Sequence, residues 1–416
     1  MAARIPVRDG ESLVFLASVA LLVLHILDDG FFQPEPGISA ADNVLYVGVF
    51  VGVLVAAAVV YPRVRPGARA ALAAILGVVC LTYAGVALGE AFGQGLAGHD
   101  YTGLLLLPAG IALLVLAGVT LWRSRRTGGT RTRRYLRRAL LAVVALLLAF
   151  LVVQPLVFAI GLTHRPRIEV KPADMGRPHE EVALTTEDGL DLDAWYVPSQ
   201  NGAAVIVFPG RDSRVPQARM LAEAGYGVLM LDMRGQGESE GMPNTLGWGS
   251  AKDLDSALAY LQERSDVEEG RIGGIGFSVG GELMIQAAAE NEGLAAVVSE
   301  GAGERSWRES TLRGTAGWPA TANLFLTDAV MTTITGEPAP PALQDLVGRI
   351  SPRPLFLIYA TNGQGGEDLT PEYYKAAAEP KEVWEITTGG HTGGFEAEPE
   401  EYERRVLAFF ENALLG

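Results

Sequence analysis

Cysteine is nearly absent from this chain, because Cys80 is the only one among 416 residues. A single thiol cannot form an intrachain disulfide, and it cannot supply the several thiolates of a cysteine-based zinc site. The sequence therefore excludes a disulfide-stapled scaffold and a zinc centre held by cysteines.

Charged residues are also scarce, at 19% of the chain against about 25% in an average soluble protein. Hydrophobic residues reach 49%, which excludes disorder, collagen and coiled coil. Residues 1–162 contain 13 Arg, no Lys and 8 acidic residues, whereas residues 163–416 contain 20 basic and 40 acidic residues. Phosphate binding needs clustered Lys and Arg, so the acidic part is not expected to bind nucleic acid. The two parts are therefore predicted to be domains of different kinds.

Five apolar runs fill the first part, each near the roughly 20 residues that a helix needs to cross a bilayer. The runs cover residues 12–27, 44–61, 69–88, 103–122 and 139–162. Charge occurs almost only at their ends, and a soluble core could hardly bury five such segments. A cleaved signal peptide is disfavoured because four more runs follow the first. We predict a multi-pass helical membrane domain over 1–162 and a linker over 163–180.

Basic residues occur only in alternate connections of this domain. All 13 Arg precede the first run or follow the second and fourth, whereas loops 28–43 and 89–101 contain no basic residue. The positive-inside rule then predicts a cytoplasmic N-terminus, and five spans place residues 163–416 outside a bacterial cytoplasmic membrane. His25, Asp28 and Asp29 lie at the outer end of the first span. Interfacial polarity is the favoured interpretation of them, and a metal or proton site is the alternative.

From Glu181 onward, short β-rich runs alternate with helical stretches. The predicted strands are 182–185, 190–197, 203–208, 227–231, 271–277, 294–298, 354–359 and 383–386. The predicted helices are 215–224, 253–264, 279–290, 371–378 and 399–414. This alternation predicts an α/β domain over 181–416 with a mostly parallel, doubly wound sheet. Residues 302–350 interrupt the rhythm and are predicted to form an inserted lid over the carboxyl edge of the sheet.

The segment Gly276–Gly280 has the form G-x-S-x-G, with Ser278 at its centre. It lies between an apolar strand and a helix, where a nucleophile elbow belongs. A dinucleotide-binding G-x-G-x-x-G is excluded because its third glycine would fall at Val279. A serine nucleophile needs a base, and His391 is the only histidine that follows the last predicted strand.

The segment Asp232–Ser239 reads D-x-R-G-x-G-x-S. With the elbow and the late histidine, it makes residues 181–416 resemble an α/β-hydrolase, closest to serine esterases and dienelactone-hydrolase-like enzymes of bacteria. The resemblance implies acyl transfer from an ester or thioester of a small or lipid-like substrate, through an acyl-enzyme and without metal or organic cofactor. It also implies oxyanion-hole amides at Arg211 and Val279. Pro209 departs from the family, which usually has histidine there.

The third member of the implied triad is an acid that follows the seventh strand, four residues before a proline in the family. That spacing selects Glu367, and Asp368, three residues before Pro371, is the alternative. Two other functions stay open. A peptidase of the prolyl-oligopeptidase type shares the fold, but no β-propeller precedes the hydrolase part. A non-catalytic binding or sensor module is favoured only by Pro209. The oligomeric state is not indicated.

Overall fold

The structure, a computed structural model, divides into two compact units. It describes residues 10–34, 39–41, 43–94, 100–124, 130–164, 167, 174–210, 215–244, 246–309, 312, 318–361, 363 and 366–416. The first unit spans Met1–Pro166 and Ala322–Glu337, and the second spans Arg167–Thr321 and Pro338–Gly416.

The first unit consists of apolar helices that follow the predicted runs. They are α1 Gly10–Leu27, α2 Val44–Val60, α3 Pro66–Gln94, α4 Asp100–Arg123, α5 Arg131–Leu148 and α6 Gln154–Thr163. A π-helical segment, Ala149–Val153, joins α5 to α6 in one continuous helix. Within the described residues, five helices are long and apolar enough to cross a membrane. The prediction of five apolar helices is confirmed, and the fifth begins earlier than predicted because its Arg-rich start is also helical.

Close packing inside this unit depends on small residues. A Cβ on Gly77 would lie 3.0 Å from the side chain of Leu114, and one on Gly110 would lie 2.9 Å from the carbonyl oxygen of Gly77. Helices α3 and α4 therefore approach each other as closely as their glycines allow. Many large apolar side chains on the outer sides of the helices, such as Val53 and Leu146, are exposed. An apolar exterior of this kind fits a hydrocarbon environment.

Polar side chains from three helices meet near the end of α1. His25 Nδ1 lies 3.1 Å from Thr102 Oγ1, which donates to Asp28 Oδ2 at 2.8 Å. His164 Nε2 lies 3.6 Å from Asp29 Oδ2. These contacts satisfy polar groups at a helix end, and the choice between interfacial polarity and a metal or proton site stays a prediction.

The second unit contains one sheet of eight strands within the described residues. They are β1 Glu180–Thr185, β2 Asp191–Val197, β3 Ala204–Phe208, β4 Gly227–Leu231, β5 Ile272–Phe277, β6 Ala296–Glu300, β7 Leu355–Ala360 and β8 Lys381–Ile386. Their order is β1-β2-β4-β3-β5-β6-β7-β8, with β1–β2 and β2–β4 antiparallel and all other pairs parallel. The mostly parallel sheet is confirmed.

Apolar layers cover both faces of this sheet. The helices of the unit are α7 Val215–Glu223, α8 Ala251–Gln262, α9 Val279–Glu290, α11 Leu343–Leu346, α12 Thr370–Ala376, α13 Gly394–Ala397 and α14 Pro399–Phe410. In β3, Ile206 and Phe208 belong to one apolar cluster, and Val205 and Val207 belong to the other. A strand buried on both faces needs an unbroken apolar run, which β3 has.

The Asp232–Ser239 motif builds the connection that follows β4. Arg234 Nε donates to Asp253 Oδ1 at 2.7 Å, and Arg234 Nη1 donates to Asp188 Oδ2 at 2.8 Å. Gly237 has φ +51°, and a Cβ there would lie 2.0 Å from Asp232 Oδ2. The arginine and the glycine of the motif therefore hold a tight loop in place.

The interrupting segment 302–350 contains one long helix, α10 Trp318–Thr335. From Ala322 to Glu337 the chain groups with the apolar helices of the first unit and not with the sheet. Asn323 Nδ2 donates to the carbonyl oxygen of Phe150 in the fifth apolar helix. The insertion is therefore helical, but most of α10 lies outside the unit to which the sequence assigned it.

Candidate active site

Ser278 occupies a sharp turn between β5 and α9. Its φ of 54° and ψ of −125° lie in a region that costs a non-glycine residue about 1–3 kcal/mol. A Cβ on Gly276 would lie 2.1 Å from the carbonyl oxygen of Gly280, and one on Gly280 would lie 2.4 Å from that of Phe208. Only glycine fits these two positions, so the motif is required by backbone contacts.

His391 lies in the connection between β8 and α13. Its Nε2 is 2.8 Å from Ser278 Oγ, and its Nδ1 is hydrogen-bonded to Glu367 Oε1. Because an ionised carboxylate only accepts, this network assigns the ring proton to Nδ1 and leaves Nε2 to accept from the serine hydroxyl. The imidazole is therefore placed to take the proton of Ser278.

Glu367 follows β7, and its side chain is completely buried. Its Oε2 accepts from the Ala360 N–H at 2.6 Å, and its Oε1 accepts from the Thr392 N–H at 3.3 Å as well as from His391. A buried carboxyl group without hydrogen-bond donors would be costly, and these three donors satisfy its oxygens. The buried carboxylate is thus held directly against the imidazole.

The neighbouring acid, Asp368, has an exposed side chain. The carboxylate that contacts His391 is that of Glu367. Two glycines allow the chain to fold closely around it. A Cβ on Gly363 would lie 2.4 Å from Glu367 Cδ, and Gly366 has φ +103°.

The structure describes only one of the two residues that are expected to supply N–H groups to the oxyanion hole. Val279 is the first residue of α9, where backbone N–H groups have no acceptor within the helix. Arg211 lies outside the described residues. The adjacent Gly210 packs against the elbow, because a Cβ there would lie 2.6 Å from the Phe277 carbonyl oxygen and 3.1 Å from Ser278 Cβ. The chain before Arg211 is therefore in contact with the serine turn.

Glu300, at the end of β6, was missed in the sequence. Its carbonyl oxygen accepts from the Ser278 N–H at 2.8 Å. Its buried carboxylate accepts from the Gly394 N–H at 2.9 Å and from the Tyr402 hydroxyl at 2.7 Å. One residue thus fixes both the serine turn and the loop that carries His391. The sequence feature that could have identified Glu300 is an acidic residue at the end of an apolar strand, shortly after the serine turn.

A second buried carboxylate lies one turn beyond Ser278 on α9. Glu282 Oε1 accepts from the Gly303 N–H at 3.2 Å, and its Oε2 is 3.6 Å from Arg305 Nε. Burial raises the pKa of Glu282 to about 7, although Arg305 partly opposes this. The Glu282 carboxylate therefore links the segment after β6 to α9, the helix that follows Ser278.

The raised pKa of Glu282 makes the stability of the folded protein depend on pH. Between pH 4.5, the ordinary pKa of glutamate, and about 7, Glu282 ionises more readily in the unfolded chain than in the folded one. The contribution of Glu282 to the free energy of unfolding is fully present below pH 4.5 and falls by up to about 3 kcal/mol as the pH rises to 7. Glu282→Gln does not titrate, so its melting temperature relative to wild type is expected to be higher at pH 8 than at pH 5.

Thermal unfolding of the detergent-solubilised chain at both pH values measures this difference. Glu292→Gln is the matched control, because Glu292 is exposed and solvated in both states. A Glu282→Gln difference that is the same at pH 5 and pH 8 would contradict the raised pKa.

Metal ligands are not grouped in the part of the chain that the structure describes. No cluster of three or more His, Cys, Asp or Glu side chains there could hold a metal ion.

Comparison with known proteins agrees with this fold. Residues 169–376, half of the chain, match the family model described as X-Pro dipeptidyl-peptidase (S15 family). The uncharacterized protein YfhR of Escherichia coli K12 is 28% identical over 256 residues, which cover 56% of this chain and 81% of YfhR. The α/β-hydrolase domain-containing protein WAV2 of Arabidopsis thaliana is 32% identical over 153 residues, which cover 34% of this chain and 48% of WAV2.

Among solved structures, the esterase Pf2001 of Pyrococcus furiosus is similar to this chain. Its TM-score is 0.49 at 24% sequence identity. The match covers 60% of this chain and 98% of the esterase.

Proposed function

This chain belongs to the X-Pro dipeptidyl-peptidase (S15) family of the α/β-hydrolase clan, and we propose that it is a membrane-anchored serine hydrolase that cleaves esters or thioesters. One observation carries the proposal: Ser278 Oγ lies 2.8 Å from His391 Nε2, while the opposite ring nitrogen is bonded to the buried Glu367. A serine, a base and an acid in this order along one hydrogen-bonded chain are the parts that nucleophilic acyl transfer requires.

In the acylation step, Ser278 Oγ attacks the substrate carbonyl carbon while His391 Nε2 takes the hydroxyl proton. Glu367 stays ionised, holds the ring in the required tautomer and stabilises the imidazolium that forms. The proton then passes from Nε2 to the leaving alcohol or thiol, and the acyl group remains on Ser278.

In the deacylation step, a water molecule takes the place of the leaving group. His391 removes its proton, the acyl-enzyme ester is cleaved, and the proton returns to Ser278. The Val279 N–H stabilises the oxyanion in both steps, with the Arg211 N–H as the second donor. Each such donor contributes on the order of 3 kcal/mol to transition-state stabilisation. Both donors are backbone N–H groups, so they do not require the histidine that the family usually has at the position of Pro209.

A peptidase is the second candidate, because the description of the family names an X-Pro dipeptidyl-peptidase. The same serine, base and acid can cleave an amide if the leaving amine is protonated by His391. A non-catalytic role is disfavoured by the intact contact between Ser278 and His391.

A comparison of substrates on purified full-length protein tests the proposal. Labelling by a fluorophosphonate probe reports a nucleophilic serine, a series of p-nitrophenyl esters of increasing chain length reports esterase activity, and X-Pro chromogenic amides report the peptidase. Ester turnover that far exceeds amide turnover supports the esterase, and the reverse ranking favours the peptidase. Absence of both labelling and turnover would exclude a serine hydrolase.

The hydrolase unit is proposed to lie outside the cytoplasm, anchored by the apolar helices. The distribution of Arg supports this orientation, because all 13 Arg of residues 1–162 lie in connections assigned to one side. Protease added to cells stripped of their wall is therefore expected to digest the second unit and to spare the apolar helices. Permeabilised cells provide the control for protease access. Protection of the second unit in intact cells, lost on permeabilisation, would reverse the orientation.

A further inference from the structure

Helix α10 exposes an apolar face. Trp318, Ala322, Phe325 and Ala329 follow one another at helical spacing, and Trp318 and Phe325 are 74% and 52% exposed. The outer face of a helix on a water-soluble domain is instead polar. The exposed apolar face of α10 therefore indicates that its surroundings are not water.

The buried side of α10 carries the polar residues Asn323, Thr327 and Asp328 together with Met331 and Ile334. Thr327 Oγ1 donates to the Asn323 carbonyl oxygen at 3.0 Å, and Asn323 Nδ2 donates to the carbonyl oxygen of Phe150. In helices that contact lipid, the polar side chains face protein. The buried polar residues of α10 and its exposed apolar face are thus consistent with its place in the apolar unit.

The contact with Phe150 indicates the depth of α10. Phe150 lies at the middle of the apolar stretch Tyr135–Thr163 and not at one of its ends. Its side chain is partly exposed, as are those of neighbouring apolar residues such as Val152. The exposed face of α10 therefore continues an apolar exterior that already needs hydrocarbon as its partner.

We propose that α10 is inserted in the bilayer, that its exposed face contacts lipid acyl chains, and that the hydrolase consequently acts on amphiphilic esters that reside in the membrane. The substrate class rests on the proposed function, whereas the lipid contact does not. Asn323 and Asp328 make α10 too polar to cross the membrane alone, and it is not among the helices apolar enough to do so.

The chain connects α10 to the candidate active site over a short distance in sequence. The segment that leads to it begins at Gly301, where a Cβ would lie 2.6 Å from Thr392 Cγ2 and 3.4 Å from His391 Cε1. Gly303, two residues later, donates to Glu282 on the elbow helix. Only the 14 residues 304–317 separate this contact from Trp318, the first residue of α10, along the chain.

Fluorescence quenching in vesicles tests the lipid contact without reference to activity. The buried Cys80 is replaced by alanine, and a fluorophore is attached at Phe325→Cys in full-length protein in phosphatidylcholine vesicles. Lipids that carry a nitroxide on the acyl chain are expected to quench this label, and aqueous iodide is not. Lys375→Cys on α12 is the matched control, because its side chain is 68% exposed and should show the reverse pattern.

Two outcomes would overturn the lipid contact. Quenching of the Phe325→Cys label by iodide would place this face in water. Protection from both quenchers would mean that protein, such as a second copy of the chain, covers it. Neither result would affect the proposed serine chemistry.

The substrate class is tested by comparing the turnover of a membrane-borne ester with that of a soluble ester. Phe325→Asn is expected to reduce turnover of a long-chain ester in vesicles by at least about tenfold, because it weakens the apolar contact with lipid, and to change turnover of p-nitrophenyl acetate by less than about twofold. Val383→Asn on β8 likewise replaces an exposed apolar side chain by an amide and should affect neither. Equal losses on both substrates, or no loss on either, would contradict the proposal, whereas inactivity of the wild type on both would refute the hydrolase instead.

Discussion

Replacement of Ser278 by alanine is expected to lower turnover of every hydrolysed substrate by at least about 10⁴-fold, because no other group takes over the attack on the carbonyl carbon. Alanine keeps the Cβ and removes only the hydroxyl, so the turn with φ 54° is retained. The melting temperature should therefore stay close to that of wild type. Steady-state kinetics and fluorophosphonate labelling of the purified protein measure the loss.

Ser299→Ala is the matched control for this variant. Ser299 lies on β6, is more deeply buried than Ser278, and its Oγ has no hydrogen-bond partner among the described residues. It should keep turnover and labelling near wild type. Wild-type turnover in Ser278→Ala, or retained labelling, would move the nucleophile elsewhere.

Glu367→Gln is expected to reduce turnover by at least about a hundredfold. The amide offers one acceptor oxygen where the carboxylate serves the Ala360 N–H, the Thr392 N–H and His391 Nδ1. Its NH₂ group favours the tautomer that turns a protonated Nε2 toward Ser278, and the stabilising charge is lost as well. Kinetics with the best ester, together with a thermal melt that separates misfolding from lost chemistry, test this expectation.

The adjacent Asp368→Asn provides a sensitive comparison. Its side chain is exposed, so the same change from acid to amide should cost less than about tenfold. The reverse ranking would assign the acid to Asp368. Two mild effects would mean that His391 is oriented by another group, for which Glu300 is a buried candidate because its carboxylate binds the loop of His391 at the Gly394 N–H.

The strands and the serine turn could be predicted because their signals are local. An unbroken apolar run such as β3 has few stable places other than the interior of a parallel sheet. Gly276 is required by a contact with Gly280 inside the motif itself, so the short motif already contains that reason, whereas Gly280 packs against Phe208 on β3. The fold of residues 181–416 follows from such short-range patterns repeated along the chain.

The role of Glu300 and the buried side of α10 could not be predicted, because the residues that they contact are distant in sequence. The carboxylate of Glu300 binds groups 94 and 102 residues away, at Gly394 and Tyr402. Helix α10 has the composition of an ordinary lid, and only its partner Phe150, 173 residues earlier, indicates which side is buried.

The position of α10 along the chain also sets an order for biosynthesis. Ser278 is translated before α10, whereas Glu367 and His391 are translated after it, on either side of β8. Domains fold as units while the ribosome proceeds from the N-terminus, so the apolar helices exist before the sheet can be completed. A shortened chain that begins at Glu181 would leave Trp318 and Phe325 without those helices and would be prone to aggregate. The sheet and the serine–histidine–glutamate contacts are therefore expected to be completed only after the apolar helices and α10 have been translated.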